Sequence, residues 1–163
     1  MKKQFLAFLA VLFIGNIQLY AQDKDSVVSL PEITVTSPVK VSNQLDNAFK
    51  STFPNAENLS WYKHDKDYLA KFIADDMDHS ALFKKNGYMK YDISYGHEYN
   101  LPEETLQLVK SHYNNEFAIT TAINVKEGGR NIWVVHLEGD KDYVTIRIED
   151  QDLEEVERYK KAS

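Results

Sequence analysis

Between residues 59 and 95 the chain passes through four short runs in which apolar and polar side chains alternate: 59–64, 68–74, 80–85 and 88–95. A period of two sends successive side chains to opposite faces, so the runs predict strands of a sheet that is buried on one side. The breaks between them are Asp65-Lys66-Asp67, the acidic Asp75-Asp76-Met77-Asp78, and Asn86-Gly87. Asn-Gly between alternating runs is a strong hairpin signal, because a type I′ turn needs positive φ at both central residues.

A helix is expected just before these strands. Ser42 or Asn43 can cap it, and Leu45, Ala48, Phe49, Thr52 and Phe53 form the i, i+3, i+4, i+7, i+8 stripe of one buried face. Pro54 stops it. The order then recurs. A second helix begins at Asn100 or Leu101, with Pro102 near its start, Glu103 and Glu104 in its first turn, and a stripe of Leu101, Thr105, Leu108, Val109, His112 and Tyr113. Strand-like runs follow at 117–126, 132–138 and 142–148. The run 153–159 has its apolar residues three apart and fits a bulged strand or a helical turn equally badly. Residues 49–55 align with 109–115 at an offset of 60, which predicts an internal duplication: two α-β-β-β-β repeats, 42–99 and 100–160. Each repeat alone is of marginal size for a single core, so the two sheets are expected to join or pack as one unit.

The N-terminus reads as an export signal. Lys2 and Lys3 precede an apolar run that closes on Leu19-Tyr20-Ala21, so residues 1–21 are expected to be removed and the product to be periplasmic or secreted. Residues 22–41, with two prolines and several Ser and Thr, are expected to form a flexible tether or an edge strand. Cleavage lowers the basic count from 19 to 17 against 25 acids, a formal charge of about −8, which disfavours a nucleic-acid partner. No later apolar run approaches the roughly 20 residues of a membrane span. The chain has no cysteine, which excludes a lipoprotein anchor, a thiol nucleophile, an iron–sulfur cluster and a zinc ribbon, and leaves the fold to its core alone.

Phe53-Pro54-Asn55-Ala56, Trp61, Tyr68-Leu69-Ala70-Lys71-Phe72, the hairpin from Ala81 to Gly87, and Leu101-Pro102 together resemble the PepSY-like proteins that are similar to beta-lactamase inhibitory protein. The resemblance covers about residues 41–159. It implies an α+β fold, a tandem repeat of one helix followed by a four-stranded antiparallel sheet, with the helices on one side and the other side free for a partner. The inhibitor's repeats are stapled by disulfides and this chain has none, so inhibition of a beta-lactamase is not carried over. Every residue that carries the resemblance is a packing or turn residue, and none is catalytic.

Alternation assigns Leu59, Trp61, Tyr68, Ala70, Phe72, Ala81, Phe83, Met89, Tyr91 and Ile93 to the helix side of the first half. In the second half it assigns Ile119, Ile123, Trp133, Val135, Leu137, Val144, Ile146 and Ile148. The opposite face then carries Tyr62, His64, Leu69, Lys71, Ile73, Leu82, Lys84, Tyr88, Lys90, Ile132, Val134, His136, Tyr143, Thr145 and Arg147. Tyrosine with cations and scattered aliphatics is an interface composition, and the residues expected to touch a partner are Tyr62, Lys71, Lys84, Tyr88, Lys90, Tyr143 and Arg147. A register error of one would exchange the two faces.

Catalytic and metal readings fare worse. The Asp75–Asp78 turn lacks the glycine and bidentate glutamate of a calcium loop. The five histidines show no i, i+4 pair and no HExxH, no G-x-S-x-G marks a nucleophile elbow, and Gly128-Gly129 lacks the lysine of a phosphate loop. No catalytic residue, cofactor or metal is expected. The sequence therefore predicts an exported, non-catalytic module that binds a protein or peptide through its open sheet face, one version being inhibition of a peptidase or other hydrolase. The alternative is an envelope carrier or sensor that holds a small apolar ligand between helix and sheet, lined by Phe72, Phe83 and Tyr91.

Overall fold

The computed structural model describes residues 38–113 and 116–162. The expected signal segment 1–21, and the expected tether apart from its last four residues, lie outside them. The element order is α1 (Asn43–Thr52), β1 (Glu57–His64), β2 (Asp67–Ala74), β3 (Met77–Phe83), β4 (Met89–Gly96), a 3-10 turn (Glu98–Asn100), α2 (Glu103–Tyr113), β5 (Phe117–Glu127), β6 (Arg130–Gly139), β7 (Asp142–Glu149) and β8 (Asp152–Lys160). The ambiguous run 153–159 is thus a strand.

All eight strands form one antiparallel sheet in the order β1 to β8. This overturns the tandem arrangement in which each helix precedes its own four-stranded sheet. β4 and β5 pair from Tyr91 with Glu127 to Gly96 with Ala122, so nothing in the sheet marks a boundary between halves. The physical reason is the edge. A sheet ending at β4 would leave that strand's N–H and C=O groups unpaired, and joining the strands removes two such edges at once.

Both helices pack on the same face. Ser42 caps α1 by accepting from the Leu45 N–H at 3.3 Å. α1 then drives Leu45 and Phe49 into a cluster with Trp61, Ala70, Phe72, Ala81 and Phe83. Phe49 sits at its centre, with ring centroids 4.8 Å from Phe72, 5.5 Å from Trp61 and 6.1 Å from Phe83. α2 places Val109, with Leu101 ahead of it, on Ala122, Trp133, Val135, Leu137, Val144, Ile146 and Ile148. His112, expected on the buried stripe, is exposed.

The turns follow the chemistry of short hairpins. Asp75 and Asp76 both have positive φ, 51° and 57°, so the acidic break is a two-residue turn, and Met77 and Asp78 belong to β3. Gly87 has φ of +87°, and a Cβ there would meet the Ala48 Cβ at 2.6 Å. That glycine lets the β3–β4 hairpin tuck against α1. At the first edge, Val39 N–H donates to the Trp61 carbonyl at 2.8 Å, so the chain entering α1 runs beside β1.

Candidate interaction surface on the helix-free face

Strand register defines what the other face presents. One row across the sheet reads Tyr62, Leu69, Leu82, Tyr91. The next reads Ser60, Lys71, Ser80, Ile93, Val125, Ile132, Glu149. A third reads Ile73, Asp78, Tyr95, Ile123, Val134, Arg147, Glu154. The middle of the face is therefore aliphatic: Ile93 is buried, while Ile123, Val125, Ile132 and Val134 are half-buried. Tyr95 is 45% exposed and Ile73 37% exposed beside them. Charged residues flank this centre, with Lys71 and Asp78 on one side and Arg147, Glu149 and Glu154 on the other.

A depression of about 380 Å³ opens on this face between Tyr62, Lys71, Ile73, Asp78, Ser80 and Tyr95. The Lys71 ammonium stands 5.9 Å from the centre of the Tyr62 ring, within cation–π range. Burial pushes the Tyr91 phenol above its ordinary pKa, partly countered by Lys90, so it stays a neutral donor at physiological pH.

The seven residues expected to touch a partner are not all brought together. Tyr62 and Lys71 sit at the depression. Lys90 occupies a bulge in β4 and reaches back to Asp67 at 3.2 Å. Lys84 and Tyr88 lie outside the strands, at the tip of the β3–β4 hairpin, with the Lys84 ammonium 4.9 Å from the Tyr88 ring centre. On β7, Tyr143 is 47% exposed with Lys161 over its ring, and Arg147 pairs with Glu149 and, at 3.7 Å, with Glu154.

Three residues assigned to the helix side prove to face the other way: Tyr91, Ile93 and Ile123. Register slips by one between the Leu82 and Phe83 pairings and again between those of Ile119 and Thr121. Each bulge adds one unpaired residue and inverts the alternation beyond it. Polar Asp92, Ser94 and Asn124 take the helix side instead, which alternation counted from Met89 or Ile119 does not reveal. Tyr95 and Val125, missed by the sequence reading, follow from the same inversion.

One buried constellation has the composition of a hydrolytic site. Asp92 and His79, 1% and 8% exposed, are joined at 3.0 Å, and Ser94 is the register partner of His79. The other ring nitrogen of His79 faces the Ala74 carbonyl at 3.2 Å. Both nitrogens are thus occupied, and neither is available to take a proton from Ser94. The ring also stacks on Phe72 at 4.8 Å, which holds it as part of the core.

No family model matches the chain, and no curated protein matches it in sequence. Its likeness is to solved structures. A BLIP-like protein from Bacteroides fragilis is 21% identical, with a TM-score of 0.55 over 75% of this chain and 87% of that one. A DUF2874 family protein from Bacteroides ovatus is 16% identical, with a TM-score of 0.54 over 75% and 89%. A Bacteroides eggerthii structure described as that of a periplasmic protein is 12% identical, with a TM-score of 0.52 over 75% and 90%. The chain shares their fold. The BLIP-like part of the expected resemblance finds a counterpart here; the PepSY-like part does not, as none of these three is described in that way. Among the described residues no helix is long and apolar enough to cross a membrane.

Proposed function

We propose that this chain is an exported binding module that recognises a protein partner with the helix-free face of its sheet. The single observation that carries the reading is the half-buried aliphatic centre, Ile123, Val125, Ile132 and Val134, set beside exposed Tyr95 and flanked by charges. An apolar centre with tyrosines and a polar rim is how partner-binding surfaces are built. Likeness to a BLIP-like protein supports protein recognition, and likeness to a structure described as periplasmic supports export. Occlusion of a hydrolase's cleft is one form this recognition can take. A complex burying about 1,600 Å² in total would be of standard size for a specific interface.

The apolar-carrier alternative loses its pocket. Phe72 and Phe83 are 4% and 0% exposed within a filled core, and Tyr91 stands on the opposite face.

The test is a photo-cross-linking residue placed at Tyr95 and, separately, at Ser51 on the exposed side of α1, in cells that export the protein. A discrete adduct from position 95, absent from position 51 and lost when Ile123 and Val134 are both changed to Lys, is the expected result. Identical adduct patterns from the two positions would overturn the reading.

A further inference from the structure

Charge is distributed unevenly along the first four strands. The β1–β2 and β3–β4 turns leave the same end of the sheet, because Lys63, Tyr68, Phe83 and Met89 form one register row just inside them. That end carries Lys63, Lys66, Lys84, Lys85 and Lys90 against Asp65 and Asp67, a net of +3 with His64 counted as neutral, in a chain whose formal charge is −6. Asp67 is 6% exposed and bound to the Lys90 ammonium at 3.2 Å, which ties the two hairpins together. Lys66, Lys84 and Lys85 are exposed and pair with no carboxylate among the described residues.

The acids that make the chain negative overall stand elsewhere. At the opposite end of the same strands, Asp75 and Asp76 form the β2–β3 turn, Asp78 follows, and no lysine or arginine occurs from 72 to 83. The eight residues of β2 run from one end to the other, about 23 Å, or roughly three Debye lengths at physiological salt. The β7–β8 turn, with Glu149, Asp150 and Asp152, lies four strand spacings from the β3–β4 turn, roughly 19 Å. The β5–β6 turn between them sets one acid, Glu127, against two cations, Lys126 and Arg130. Neither acidic group cancels the basic corner.

The corner also carries an exposed aromatic. Tyr88 is 56% exposed, with the Lys84 ammonium 4.9 Å from its ring centre. A ring with a polar tip, set among long cationic side chains, suits the boundary between water and lipid. The five cations are all lysines. Arginine serves planar, bidentate recognition, whereas lysine is a flexible point charge, and lysine is depleted at protein interfaces. Lysines on exposed turns therefore fit a broad negative surface that asks for charge and not for geometry.

We propose that this corner docks the protein on an anionic lipid bilayer, with Tyr88 at headgroup level and Lys66, Lys84 and Lys85 against the lipid phosphates. The strands then run away from the bilayer, and the helix-free face stays open to a partner. Each lysine held near an anionic leaflet contributes about fivefold in binding.

Vesicle flotation tests the assignment, using the chain from Gln22 onward, which keeps every described element and lacks the apolar run of residues 5–14 that would itself enter lipid. Phosphatidylcholine vesicles with about 30% phosphatidylglycerol should bind it in about 50 mM salt and release it near 500 mM, and pure phosphatidylcholine should not bind it. Changing Lys66, Lys84 and Lys85 together to Gln should weaken binding about 100-fold, while the same loss of charge at Lys50, Lys141 and Lys160 should leave it within about twofold. The first three lysines are exposed and unpaired among the described residues, so their variant should keep the wild-type circular dichroism and melting curve. Tyr88→Ala should weaken binding and Tyr95→Ala should not, which separates failure here from failure of the protein-binding reading. Glycerol 1-phosphate should displace no more protein than sodium chloride of equal ionic strength; stronger displacement would assign a site for small phosphates and overturn the bilayer. No binding, equal binding to the two kinds of vesicle, or equal weakening by the two lysine triples would each overturn it as well.

Discussion

Single residues carry consequences that follow from their surroundings more than from their type. Phe49 is 2% exposed and touches four other rings, those of Phe53, Trp61, Phe72 and Phe83, so Phe49→Ala should cost about 3–5 kcal/mol in urea unfolding, as large-to-small changes in packed cores do. The His79–Asp92 pair tests a different balance. His79→Ala strands a carboxylate that is 1% exposed, and about 3–5 kcal/mol should be lost; replacing both partners by leucine should recover much of it, because no unpaired charge is left behind. A double-mutant cycle measures both. Tyr113 offers a pH signature. Burial, reinforced by its hydrogen bond to Glu155 at 2.9 Å, pushes its phenol up to about 12. Its protonated form is favoured in the folded state, so its contribution is complete below the ordinary phenol pKa of about 10 and is lost as pH rises toward 12. Stability of the wild type should fall more steeply over that interval than that of Tyr113→Phe, and equal slopes would refute the assignment.

At the scale of elements, the β3–β4 hairpin depends on one glycine. Gly87→Ala adds a Cβ where φ is +87° and the Ala48 Cβ is 2.6 Å away, so a loss of about 1–3 kcal/mol and a shifted α1 are expected by chemical denaturation and NMR. The place of this hairpin was legible because Asn-Gly marks a turn, but the type I′ geometry expected there does not form. Gly87 has positive φ and Asn86 does not, and the loop closes instead through Lys84, whose carbonyl accepts from the Gly87 N–H. Helix α1 was legible for a similar reason, its cap and its stripe being local. Seven of the eight strands could be placed from alternation, and the eighth could not, since Val156 and Tyr159 are exposed at 58% and 57% and leave no buried face to read. The candidate site was only half legible. Tyr62, Lys71 and Val134 precede or lie between irregularities that do not change their parity, while Tyr91, Ile93 and Ile123 follow bulges that no residue announces. A bulge is fixed by what the neighbouring strand needs, and that information is spread along the chain. Whether the two sheets join or only pack was not legible for the same reason, because pairing between β4 and β5 links strands separated by a helix.

For the molecule as a whole, charge and connectivity set the remaining behaviour. Glu149 accepts from Arg130 at 2.6 and 2.8 Å and pairs with Arg147, and Arg130 holds its carboxyl below the usual range. A depressed carboxylate stabilises the fold above its unfolded pKa of about 4.3, and that contribution disappears as pH falls through the lower folded value. The difference in urea midpoint between wild type and Glu149→Gln should be constant near neutrality and close below about pH 4. The order β1 to β8 has a separate effect. Each strand except the first has its partner earlier in the chain, so a polypeptide emerging N-terminus first never has to wait for a later segment before it can pair. Zipping can keep pace with emergence, and β8, bonded on one side only, is the natural last piece to dock and the first to peel away under load.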